Sequence, residues 1–149
     1  VLSDAKIIYP CNTFDIKSKI SLSGEKKYYL ADLSIYFLYN TDNRINYGPV
    51  LENILHNYLI SKGYSLSVGK IGKLEVDFIA RYQNDNYFYI QVSKNIDDDK
   101  TAEREYRPFY DIKDMYPRYL FLLDLIIKDN IDVIKNVNIA KFIANNQDL

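Results

Sequence analysis

Residues 73–94 read KLEVDFIARYQNDNYFYIQVSK, and no other stretch constrains the fold as much. In the first run Glu75, Asp77, Ile79 and Arg81 share one face while Val76, Phe78 and Ala80 share the other. This is the two-residue period of a strand. QNDN supplies turn residues. In the second run Tyr87, Tyr89, Gln91 and Ser93 alternate with Phe88, Ile90, Val92 and Lys94. Two antiparallel strands are therefore expected, with acids on one of them, although acids are depleted in strands.

The flanking elements extend this hairpin. Upstream, Leu51, Ile54, Leu55, Tyr58 and Leu59 recur at helical spacing. Pro49 suits a first helical turn and Gly63 the position just past the last. YSLSVGK reads as a further strand pairing with the hairpin. Downstream, DDDK is expected to cap a second helix over about residues 101–114, its acids favoring the N-terminus. Pro108 should kink or interrupt that helix. RYLFLLDL reads as a strand buried on both faces. IDVIKNVNI and AKFIANN follow as a strand and a short helix. Near the start, Gly24 signals a turn, KYYLAD a short strand and LSIYFLYN a short helix. From Pro49 onward the order is helix, three strands, helix, strand, which gives an α/β domain with a mixed sheet.

Apolar residues make up 48% of the 149, enough for one sizeable core. The net charge is −1, with a slight basic surplus before the hairpin and an acidic one after it, so no overall basic excess marks a phosphate-gripping protein. Cys11 is the single cysteine, which excludes an internal disulfide and makes it a small buried apolar residue. No apolar run is long enough to span a bilayer and no signal peptide is read, so no membrane partner is expected and a cytoplasmic location is. The opening VLSDAKIIYP reads as the middle of an element, as in a piece of a longer protein.

Glu52 on the first helix, Asp77 on the second core strand, and QVS, Gln91 to Ser93, on the third fall where chemistry would concentrate. These residues and the αβββαβ order resemble the PD-(D/E)XK nuclease superfamily, which implies a restriction-endonuclease-like core with a central mixed sheet flanked by helices. The resemblance implies that Glu52, Asp77 and Gln91 would hold Mg²⁺ or Mn²⁺ if a metal is bound, with Glu75 as a further acid on the face of Asp77. Such an ion takes oxygen ligands, polarizes a phosphoryl oxygen and acidifies bound water. Two positions depart from the pattern. Gln91 stands where the family has a carboxylate, and Ser93 where it has the lysine. Lys94 points to the opposite face. No cofactor is therefore expected, with Mg²⁺ or Mn²⁺ as the alternative.

KYYLADLSI, LENILHNYLISKGYSLSVGKIGKLEVDFIA, YFYIQVS, and ERE before YPRY are similar to the uncharacterized domain at the C-terminal end of many prokaryotic AAA+ ATPases. The resemblance runs from about residue 15 to 142. It implies that residues 1–24 are the tail of a preceding winged-helix region, that 25–149 form the nuclease-like domain, and that the ATPase motor of the same chain is a partner. No Walker A motif occurs.

The functional expectation is a degenerate, non-catalytic accessory domain that binds DNA or a protein partner. One alternative is an active nuclease in which Glu52, Glu75 and Asp77 hold the metal and Lys70 or Lys73 supplies the lysine. Another is a pure protein-interaction domain. The bland readings are a buried Gln91 satisfying backbone groups, an ordinary His56 in place of a Glu52–His56 pair, and an Arg104 engaged in helix-surface ion pairs. The expectation turns on Glu52, Asp77 and Gln91 meeting in one cleft that lacks an ammonium group.

Overall fold

A computed structural model describes residues 1–40, 44–83, 86–124 and 133–149. Strands β1 (Ile8–Asp15), β2 (Ile20–Leu30), β3 (Ser65–Ile71), β4 (Leu74–Tyr82), β5 (Asn86–Ser93), β6 (Arg118–Leu122) and β7 (Ile134–Asn138) form one mixed sheet in the order β2-β1-β3-β4-β5-β6-β7. The pairs β1–β2, β3–β4 and β4–β5 are antiparallel, and β1–β3, β5–β6 and β6–β7 are parallel. Helices α1 (Ser34–Tyr39), α2 (Tyr47–Ser61), α3 (Asp99–Asp111) and α4 (Ile139–Ala144) complete the described elements.

Each sheet face has its own core. On one, Leu51, Leu55 and Leu59 of α2 and Phe142 of α4 pack on Phe78, Ala80, Ile90 and Phe121. On the other, Tyr106, Phe109 and Ile112, on α3 and just past it, cover Val76, Ile79, Tyr89 and Leu120. Leu55 is fully buried, and its burial contributes about 2 kcal/mol. Truncating it to alanine would cost about 3 kcal/mol once the cavity is included. Helix α2 ends where the sequence reading placed its end, with Gly63 in the left-handed region at φ +89°. Helix α3 starts on the expected cap, as Asp98 accepts the Thr101 N–H at 2.9 Å. It runs through Pro108 to Asp111 without interruption and ends short of residue 114. The central residues of the QNDN turn, Asn84 and Asp85, and the first two residues of IDVIKNVNI lie outside the described residues.

Two features of the sheet differ from the sequence reading. First, β1 is a full strand passing through Pro10. Pro10 faces Tyr28 of β2, and pairing with β3 begins only at Thr13, so the missing N–H breaks no ladder. The sheet therefore runs across the expected boundary at Gly24, which lies inside β2 at φ +118° beside a register slip rather than at a strand-ending turn.

Second, β4 does not alternate throughout. Ser67 pairs with Ile79 but Gly69 pairs with Val76, so Asp77 and Phe78 together oppose Val68. This is a bulge, with two residues on one strand facing one on its neighbor. Beyond it the alternation is inverted. Val76 and Ile79 lie in the α3-side core, and Phe78 and Ala80 lie in the α2-side core. Gly69 sits against the bulge, where a Cβ would stand 3.0 Å from Val76 Cβ and Ile16 Cδ1.

The turn joining β1 to β2 is pinned to the loop after α3. Lys19 Nζ lies 2.7 Å from Asp114 Oδ2 and 2.9 Å from Tyr89 Oη, with the rings of Tyr87, Tyr89 and Tyr116 around it.

Candidate functional site

A polar cleft of about 610 Å³ opens at the end of the sheet between α2 and α3. The bulge and the departure of β5 from β4 make room for it, since β4–β5 pairing begins only at Phe78 and Ile90. Glu52 enters from α2, Glu75 and Asp77 from β4, and Glu105 from α3, with Gln91 and Ser93 of β5 on the wall. All the sequence-selected positions thus line one cleft.

An ammonium group stands among the carboxylates, contrary to the expectation of a cleft without one. Lys27 Nζ, carried by β2, lies 2.7 Å from Glu75 Oε1, 3.3 Å from Glu52 Oε2 and 3.9 Å from Asp77 Oδ1. Tyr29, two residues along the same strand, donates its hydroxyl to Glu52 Oε2 at 3.3 Å. The lysines expected to reach the site do not hold this place. Lys70 pairs with Glu25, and Lys73 lies on the cleft wall.

Electrostatics follow from burial and this pairing. Burial, and next the neighboring Glu52 carboxylate, push Asp77 well above the usual carboxylate range, although the Val92 N–H donates to Asp77 Oδ2 at 2.8 Å. Burial also raises Glu105, against the opposing effect of Arg104. Arg104 binds it at 2.6 Å, in line with the ion-pair reading of Arg104, and also lines the cleft. Burial disfavors the Lys27 ammonium, but its bond to Glu75 and the charges of Glu52 and Asp77 outweigh that and hold it protonated above the ordinary lysine range.

Gln91 and Ser93 are engaged with backbone. Gln91 Oε1 accepts the Asp77 N–H at 2.8 Å, and its Nε2 donates to Glu75 O at 3.4 Å. The amide continues the ladder where the bulge has parted the strands. Gln91, level with Leu120, belongs to the α3 side of the sheet, whereas Asp77 meets Lys27 and Glu52 from the α2 side. The like-facing placement of Asp77 and Gln91 read from strand periodicity is therefore corrected by the bulge. Ser93 Oγ donates to Asn95 O at 2.9 Å. His56 is buried and stacks on Tyr29 with ring centroids 4.3 Å apart, and its Nδ1 pairs with Asn57 at 3.0 Å, not with Glu52. Burial lowers its pKa and keeps the ring neutral. Cys11 is buried in the α2-side core, and burial raises its thiol to about 11.

This arrangement does not fit Mg²⁺ or Mn²⁺ held by Glu52, Asp77 and Gln91. Gln91 Oε1 and Asp77 Oδ2 are committed to backbone N–H groups, and Glu75 is paired with the Lys27 ammonium. Among the described residues no three acidic, histidine or cysteine side chains are grouped as metal ligands.

Sequence reasoning missed Lys27 and Glu105. Strand alternation puts Lys27 on the face of buried Tyr29. Helical spacing puts Glu105 four residues before the core residue Phe109. A charge in step with buried aromatics was the available signal in both cases.

An uncharacterized protein of Haemophilus influenzae is 31% identical over 143 residues, which are 96% of this chain and 35% of that protein. The chain thus spans about a third of the length of this relative. No family model matches the chain, and no solved structure matches it significantly. No described helix is long and apolar enough to cross a membrane.

Proposed function

We propose that this chain is a non-catalytic accessory domain with a degenerate PD-(D/E)XK nuclease-like fold, of the kind found at the C-terminal end of AAA+ ATPases, and that it binds DNA or a protein partner of the motor. The α2-β3-β4-β5-α3-β6 succession supports the restriction-endonuclease-like core, as does the cleft at the splayed end of the central hairpin. The observation that carries the reading is that Gln91 and Ser93, which stand where the resemblance has a carboxylate and a lysine, are both engaged with backbone groups. The relative's greater length is in keeping with a domain that works as part of a larger protein.

The test is a cleavage assay on linear, circular and branched DNA with Mg²⁺ and with Mn²⁺ at micromolar protein. No cleavage is expected from the wild type. Cleavage that disappears in Asp77→Ala would overturn the reading. It would favor a second one, an active metal-dependent nuclease in which Lys27 supplies the ammonium that Ser93 lacks. The observation favoring that alternative is the 2.7 Å contact of Lys27 with Glu75, since it brings a lysine to the acids from another strand. Under it, Lys27→Ala would lose cleavage together with Asp77→Ala.

A further inference from the structure

His56 is the single histidine of the chain and is 2% exposed, on the side of α2 turned to β1 and β2. Its ring stacks on Tyr29 with centroids 4.3 Å apart, and Tyr9 of β1 and Phe78 of β4 stand at 5.9 and 6.1 Å. Asn57 fixes which nitrogen carries the hydrogen. Asn57 Nδ2 donates to Leu30 O at 2.8 Å and to Ala31 O at 3.2 Å, so Asn57 Oδ1 accepts from His56 Nδ1 at 3.0 Å. Nε2 is therefore the atom that acid protonates. Among the described residues Nε2 has no hydrogen-bond partner and His56 no ion pair.

The groups around the ring offer no counter-charge. β1 contributes the Tyr9 hydroxyl and the Cys11 thiol, β2 the Tyr29 phenol and β4 the Phe78 ring. Burial raises both Cys11 and Tyr29, which stay neutral. The charged side chains of these elements, Glu52, Lys27 and Asp77, gather at the hydroxyl end of Tyr29 and are engaged with one another. A second proton on His56 thus puts an unpaired charge in the core, and the packing around the ring must open to hydrate it. Leu55 and Leu59 hold α2 to the middle of the sheet, whereas β2 has only β1 as a strand neighbor among the described residues. The end of β2 is the part free to move. It is pinned by the two residues flanking His56 on its helical face, Asn57 as above and Asn53, which bonds both the N–H and the C=O of Leu30 at 2.8 Å.

We propose that His56 is an acid-sensitive pin: protonation of its Nε2 frees the Tyr29–Ala31 segment from α2, withdraws the Tyr29 hydroxyl from Glu52, and so loosens the carboxylate cleft while the rest of the sheet stays folded. The consequence for function rests on the cleft being the working site of the accessory domain; the opening itself does not. Burial holds the ring below its ordinary value of 6.5, so the open form takes up the proton first. The closed form is fully favored above that value and loses ground as pH falls below it.

Amide hydrogen exchange at about pH 7.5 and 5.5, with each rate corrected for intrinsic pH dependence, tests this. The reporters are the N–H of Leu30, bonded to Asn53 Oδ1, and of Ala31, bonded to Ile7 O. Their protection should fall roughly five- to tenfold, one proton at an ordinary histidine value giving at most about tenfold over this interval. At the lower pH their exchange should ignore about 1 M urea, while the amides of Ile79 and Ile90 accelerate. His56→Phe keeps a ring to stack but takes up no proton, and its protection should change by less than about twofold. His56→Gln makes the same comparison if the phenylalanine variant does not fold. Asp77, raised to about 8, also takes up a proton in this range. An equal fall in wild type and variant would assign the effect to that acid and overturn the proposal. So would unchanged wild-type protection, or a urea dependence of Leu30 equal to that of Ile79, which makes the loss global. No nucleic acid or partner enters these readouts, so the pin can fail with the accessory-domain reading intact, and the reverse.

Discussion

Two lysines of the first hairpin are held in opposite ways. Lys19 meets one carboxylate, Asp114, and is ringed by three tyrosines. Lys27 meets three carboxylates and has Tyr29 alongside only through Glu52. The consequences for the acids have opposite sign. Burial would raise Asp114, but the bonds from Lys19 and Tyr89 outweigh it and hold Asp114 below the ordinary value of 3.8. Asp77 is raised above 3.8 because burial and Glu52 outweigh the shared ammonium. A balanced pair is what a structural latch needs. A surplus of buried acid is costly to the fold.

The largest test of that contrast removes the cation. Lys27→Met should destabilize the fold by about 2 kcal/mol at neutral pH, because it strands partly buried carboxylates. Removing one member of a fully buried pair costs more, about 3–5 kcal/mol, and the partial exposure of Lys27 reduces it. Urea midpoints of variant and wild type measure this, and the difference should shrink on acidification. An unchanged midpoint would place the ammonium outside the carboxylate group.

Removing the surplus acid should act the other way. A carboxylate whose folded pKa is raised stabilizes below its unfolded pKa and loses that contribution as pH rises through the folded value. Asp77→Asn keeps an oxygen for the Val92 N–H and has no charge to bury. It should therefore be more stable than wild type by about 1 kcal/mol at pH 8, with no gain at pH 3. A loss of stability at pH 8 would show that the charge of Asp77 is compensated after all. Gln91→Ala tests the wall beside it. The Asp77 N–H would be left without its partner at a cost of about 1 kcal/mol, measured by the same midpoints.

The smallest effect belongs to the latch. Asp114→Asn should cost just under 1 kcal/mol at pH 7, since the pair is partly exposed. Its folded pKa is lowered, so its contribution is present above the unfolded value and disappears as pH falls through the folded one. Wild type and Asp114→Asn should converge below about pH 3, whereas wild type and Asp77→Asn should diverge as pH rises. Parallel pH profiles for the two variants would erase the contrast between the two lysines.

The sequence made much of this legible. Pro49 and Gly63 bracket α2 to within two residues, and the alternating runs locate β4 and β5, because local punctuation and period act within one element. The inversion at Asp77 and Phe78 was not readable, since a bulge is defined only by the register against β3. Strand β1 was hidden by Pro10, which is a breaker unless its open side is known. The cleft was half legible. Glu52, Glu75 and Asp77 stand out by type and position, while Lys27 comes from a strand 25 residues away from Glu52 in sequence, and only tertiary packing brings it there.

Helix α2 fastens β2 at its far end through neighboring residues: Glu52 holds the Lys27 side chain, and Asn53 and Asn57 hold the backbone of Leu30. At the near end, the turn is tied down through Lys19. Between these moorings lie Ser21 to Glu25, with Gly24 and the register slip, paired in the sheet with β1 alone among the described strands and joined to β3 through the Glu25–Lys70 ion pair. The outermost strand is thus strung like a bow. Its earliest opening is a bubble in mid-span rather than fraying from a tip, so the amides around Gly24 exchange with solvent before those of Tyr29 or Leu30.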